Sequence, residues 1–181
     1  MLGFVKQSLI ERGLRLCVPY SVMALFFVLN VIAVPAPLTL FFQAPLVLML
    51  VYYWTIYRPT LLPPFLVFVM GFLLDLFLGN PYMGLNALLF LLCRLAIMKQ
   101  RRFLTGQSFL MVWVGFAAIS FLYVVLNWFA FAVLSFGFPP VREVVVTTTF
   151  GIFIFPIVNA ILNLSYKTLL SERVSGDGAI G

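Results

Sequence analysis

Apolar residues run along this chain in long unbroken stretches, and the few polar positions mark where each stretch ends. Six stretches are legible: residues 17–34, 46–57, 60–78, 85–99, 108–134 and 144–170. None alternates apolar with polar residues at a period of two, which argues against the strands of a transmembrane barrel. Each is read as a helix, because about 1.5 Å of rise per residue lets roughly 20 residues cross a lipid hydrocarbon core. The second stretch, LVLMLVYYWTIY, is short for a crossing unless residues 38–45 contribute.

The breaks carry turn chemistry. Pro35, Pro37 and Pro45, with Gln43, make the first connection an uncharged surface turn or a partly re-entrant segment. Arg58-Pro59 marks the second. Pro63-Pro64 stand near the start of the third helix, where proline is tolerated. Gly79-Asn80-Pro81 divides a hairpin whose second arm opens at Gly84-Leu85-Asn86. Residues 135–140 and the Arg142-Glu143 pair form the last loop, and Pro156 predicts a kink in the last helix. A basic leader (1–16), a six-helix domain (17–170) and a polar, disordered tail (171–181) complete the division.

Composition decides what the helices face. Hydrophobic residues make up 64% of the chain and charged residues 9%, against about 45–50% and 25% in a soluble domain. The surplus apolar surface has to meet something other than water, so the chain is read as an all-α integral membrane protein. A basic region precedes the first apolar run, as in a signal peptide. That run is longer than a signal core, and prolines flank Ala36, where cleavage would be sought, so the helix is expected to be retained.

Charge sets the topology. With six spans, the leader, Arg58, the Lys99–Arg102 cluster and Lys167 with Arg173 fall on one side, and Arg142 is the only base on the other. By the positive-inside rule both ends are cytoplasmic. The net charge of +6 is spread over short loops and is no nucleic-acid signal. Tyr53 and Trp54, with Tyr52 and Tyr57, adjoin Arg58 and Pro59 as an interfacial aromatic belt would. Lys99, Arg101 and Arg102 form the strongest cytoplasmic basic cluster.

Little reaction chemistry is available. The chain has no histidine, no carboxylate pair, no phosphate-binding loop and no nucleophile elbow. No cofactor, metal site or enzymatic activity is expected. Cys17 and Cys93 read as small apolar residues.

Asp75 stands out, since an acid in an apolar span costs at least about 2.5–3.5 kcal/mol near a helix centre. Gly71, Asp75 and Gly79 are spaced by four, placing two glycines beside an acid on one face, where another helix packs closely. Three readings stay open: a polar contact at a helix interface, an acid reaching the headgroups, or an ion site. Arg94 is too deep to be its partner and is expected to snorkel toward Lys99. Asn86, Asn127, Asn159 and Asn163 suit hydrogen bonds across helices better than a ligand cavity.

From Tyr53 to Arg102 the sequence resembles the MreD family of the bacterial rod-shape machinery. The matching features are Tyr53-Trp54 with Arg58-Pro59, then Gly71-Phe-Leu-Leu-Asp75-Leu-Phe-Leu-Gly79-Asn-Pro81, then Gly84-Leu85-Asn86. The resemblance implies a non-enzymatic scaffold of the elongation complex in the inner membrane. It implies partnership with an MreC-like protein and, through it, with a RodA-type glycosyltransferase, a class B transpeptidase and the MreB filament, in contact with membrane lipid. It also implies six helices arranged like the substrate-binding subunit of energy-coupling-factor transporters. The alternatives are therefore a vitamin-like small-molecule binding subunit and a proton-coupled carrier using Asp75. On the scaffold reading, the Gly71/Asp75/Gly79 groove and its hairpin partner dock the transmembrane helix of the MreC-like protein, with Pro81, Gly84, Leu85 and Asn86 completing the motif.

Overall fold

The computed structural model describes residues 19–32, 46–135 and 141–177. The leader, the first connection, the loop at 136–140 and the last four residues of the tail lie outside them. Among the described residues the fold is six helices and no strand: α1 (Pro19–Ile32), α2 (Leu46–Tyr57), α3 (Pro64–Phe77), α4 (Leu85–Leu104), α5 (Phe109–Ser135) and α6 (Val141–Asp177). The expected helices are all present, with shifted ends. Helix α4 continues five residues past 99 and takes in the basic cluster. Helix α6 runs to Asp177, through much of the expected tail, which holds no proline to stop it.

Helix α2 is the axis of the bundle. Its residues Val47 to Ile56 are all buried, and it packs on α4, α5 and α6. Twelve residues give it about 18 Å of length. Such a helix is apolar all round because neighbours surround it. This corrects the aromatic-belt expectation: Tyr53 and Trp54 have no exposed surface. Tyr52 meets Phe116 of α5 and Phe155 of α6 edge-on, with centroids 5.4 and 5.7 Å away, and those two rings stack at 4.2 Å. The Tyr52 hydroxyl donates to the Val112 carbonyl at 2.8 Å. It fits because position 115 is glycine; a Cβ there would stand 2.5 Å from the hydroxyl. Tyr53 donates to Asn163 Oδ1 of α6 at 3.1 Å. The aromatic cluster reads as interfacial because it adjoins Arg58, yet its rings fill the gaps between three helices.

The outer surfaces are apolar. Phe65, Phe121, Phe153 and Leu164 each expose about two thirds or more of their surface. Helix α5 is long and apolar enough to cross a membrane by length and composition; α1, α2, α3 and the 148–164 part of α6 are shorter apolar helices. Pro156 lies inside α6. A proline has no N–H for the carbonyl four residues back, here that of Ile152. Trp113 of α5 supplies the donor, its indole N–H reaching the Ile152 carbonyl at 2.9 Å.

Candidate functional site

The site grows out of how α3 ends. Gly79 adopts φ +62°, a left-handed conformation that costs a glycine nothing. The Asn80 N–H then reaches back to the Asp75 carbonyl at 3.0 Å and the Gly79 N–H to the Leu76 carbonyl at 3.4 Å, the double bond of a Schellman terminus. Pro81 follows, where it cannot continue the helix. Gly79 is therefore a helix terminator and not a third member of a groove on the helix face. The chain re-enters a helix at Gly84, which has φ +91° and carries no side chain with which to cap α4.

Asp75 provides that cap from the neighbouring helix. Its Oδ2 accepts the backbone N–H of Gly84 at 2.9 Å and of Asn86 at 3.0 Å. Its Oδ1 accepts the side-chain amides of Asn80 at 2.9 Å and Asn86 at 2.7 Å. Four N–H donors match the acceptor capacity of two carboxylate oxygens. A carboxylate is misplaced at the C-terminal end of its own helix and well placed at the N-terminal end of the next. Asp75 itself has no exposed surface. The cost of burying an acid is offset by this complete set of charge-assisted bonds.

The knot extends to a third helix. Asn86 Oδ1 accepts the Tyr123 hydroxyl of α5 at 2.6 Å, and that hydroxyl accepts the Asn127 side-chain amide at 3.4 Å. The Tyr123 ring stacks on Phe90 of α4, centroids 5.5 Å apart. One turn below Asp75, Gly71 brings the α3 and α4 backbones together: a Cβ there would lie 2.5 Å from Ala87 Cα and 2.7 Å from Ala87 N. The close-packing face read from Gly71 and Asp75 is thus filled by α4 of the same chain. A partner helix cannot enter it. Among the described residues, the face of α3 left open is a flank about a quarter-turn round from it, with Phe65, Phe68, Phe72 and Leu76 exposed and the Phe68 and Phe72 rings stacked.

The other end of the hairpin is held by arginines. Arg94 is 7% exposed and directs Nε and Nη2 at the Leu62 carbonyl, at 3.3 and 3.1 Å. It does not snorkel, because the turn after α2 brings an acceptor to it. Arg101 donates from Nε to the Ile56 carbonyl at 2.7 Å, where a cation suits the C-terminal end of α2. Arg58 and Pro59 are half-buried, whereas Lys99 and Arg102 are exposed. The basic cluster thus divides into one anchor and two exposed cations.

Sequence reading missed Asn80 and Tyr123. Asn80 has a local signal, an amide directly before proline at a helix end; Tyr123 has none. Four buried side-chain atoms have no partner within the described protein: Trp54 Nε1, Thr55 Oγ1, Ser120 Oγ and Asn159 Oδ1. Among the described residues no group of three or more histidine, cysteine or acidic side chains is placed to hold a metal.

The arrangement at Asp75 binds helix to helix and leaves its carboxylate no free acceptor position. A family model described as rod shape-determining protein MreD matches residues 11–165. No curated protein and no solved structure matches the chain.

Proposed function

The chain belongs to the MreD family of rod shape-determining membrane proteins, and from that premise we propose that it serves the bacterial elongation complex as a non-catalytic scaffold. The observation that carries this reading is the Asp75 knot. The one acid among the described side chains spends all four acceptor positions on its own chain. It works as a fastener, and a fastened hairpin presents a fixed outer surface.

On this reading the six helices cross the inner membrane with both ends cytoplasmic, in an arrangement like that of the energy-coupling-factor binding subunits. The α2–α3 turn and the end of α4 form the cytoplasmic, arginine-rich side. The single transmembrane helix of an MreC-like protein packs on α3 along Phe68, Phe72 and Leu76. These residues form an apolar stripe at i, i+4 and i+8 on the exposed flank of α3 beside its contact with α4. The RodA-type glycosyltransferase, the class B transpeptidase and MreB join through that partner. A pull-down from native membranes in mild detergent tests the assignment: rod-complex components are expected to co-purify. Recovery of the chain without any of them contradicts it.

One observation favours a second reading. The four orphan polar atoms lie on α2, α5 and α6, where a small bound molecule would give them partners. A small-molecule binding subunit would retain a ligand detectable by mass spectrometry after purification. The scaffold reading expects none.

A further inference from the structure

Helices α3 and α4 are antiparallel and cross where Gly71 meets Ala87. Seven residues back from Gly71 is Pro64, the first residue of α3; seven on from Ala87 is Arg94. Helix α3 therefore starts level with Arg94, while α4 continues ten residues to Leu104, about 15 Å further. The hairpin has a step at this end. The exposed apolar residues near this level are Phe65 of α3, 75% exposed, and Leu95 of α4, 57% exposed.

Cations line the step. The Arg94 guanidinium uses Nε and Nη2 on Leu62; its Nη1 has no partner among the described residues and is not sealed by them from the surface. Arg101, two turns along the same face, spends only Nε among the described residues, on Ile56. Arg102 is exposed beside it. The one carboxylate among the described side chains, Asp75, is saturated at the far end of the hairpin. A buried guanidinium with no acid beside it among the described side chains leaves a large charge to be balanced.

We propose that this step is a binding site for the phosphodiester headgroup of an acidic phospholipid. The phosphate lies against Arg94, Arg101 and Arg102, and an acyl chain runs along Phe65 and Leu95. A lipid fits better than free phosphate because the cations adjoin exposed apolar wall, which only an amphiphile covers. An acidic lipid fits better than a zwitterionic one because no carboxylate among the described side chains stands here to answer a choline or ethanolamine cation. The site rests on membrane insertion alone and not on the rod-complex partners.

The test uses the full chain purified in detergent. Thermal stability is followed during titration with phosphatidylglycerol, with phosphatidylcholine, or with inorganic phosphate. Phosphatidylglycerol is expected to stabilise saturably and phosphatidylcholine not to. Arg102→Gln, an exposed change that leaves the fold intact, is expected to weaken the effect about fivefold, the equivalent of one cation near a membrane surface. Arg94→Gln is expected to weaken it at least as much. Because that variant also loses the Leu62 contact, Arg102→Gln decides the outcome. Equal stabilisation by both lipids, an unchanged titration in Arg102→Gln, or full stabilisation by inorganic phosphate overturns the proposal.

Discussion

Asp75 and Asn86 meet twice: one carboxylate oxygen takes the Asn86 backbone N–H at 3.0 Å and the other takes its side-chain amide at 2.7 Å. That double contact joins the end of α3 to the start of α4 in one geometry. The Tyr123 hydroxyl, on Asn86 Oδ1, passes the constraint to α5.

Replacing Asp75 tests whether the carboxylate, and not the shape of the side chain, ties the hairpin. Asp75→Asn is nearly isosteric but puts an amide NH2 against N–H donors. Two of the four bonds are lost, and a cost of about 2–3 kcal/mol is expected. Asp75→Ala strands all the donors and is expected to cost about 3–5 kcal/mol. Unfolding in mixed detergent measures both. An Asn variant as stable as the parent would show that the negative charge is not needed.

Gly71→Ala is expected to force α3 and α4 apart and cost about 1–3 kcal/mol. The added Cβ meets Ala87 backbone atoms, so Ala87→Gly should not rescue it. Rescue in the double variant would mean that the helices do not approach as closely as described.

The Trp113–Ile152 bond predicts coupling between Trp113 and Pro156. Trp113→Phe leaves the Ile152 carbonyl without a donor, at a cost of about 1–3 kcal/mol in unfolding experiments. In a Pro156→Ala background the backbone N–H at 156 is restored, so the same change should cost less. A double-mutant cycle measures the difference; strict additivity would dismiss the pairing.

Thr55 Oγ1 is buried without a partner. Thr55→Val keeps the shape and removes the hydroxyl, and is expected to stabilise the chain by about 1 kcal/mol. Destabilisation would show that the hydroxyl is bonded in the working protein, as the small-molecule reading requires.

Much of this was legible in the residues. Unbroken apolar runs place all six helices, because a membrane-facing helix needs no polar stripe. Gly79-Asn80-Pro81 locates the α3–α4 turn, since each residue there has its own conformational reason to end a helix. Gly71 and Asp75 are recognisable as a close-packing face. The sequence does not tell which helix fills that face, because spacing fixes a side of α3 and not its neighbour. Tyr52, Tyr53 and Trp54 are ambiguous for the same reason: an aromatic cluster beside an arginine has one pattern whether it lies at a lipid boundary or at the axis of a bundle. Pro156 identifies an orphan carbonyl, yet only the packed helices show that Trp113 answers it.

Recovery of the MreC-like partner tests the scaffold most directly, with wild type, Phe68→Ala/Phe72→Ala and Asp75→Asn brought to equal amounts in the membrane. The exposed-face variant is expected to keep its thermal stability and lose the partner, and Asp75→Asn to lose both. Undiminished partner recovery with Phe68→Ala/Phe72→Ala would contradict the account, since α3 would then not be the surface that other helices meet.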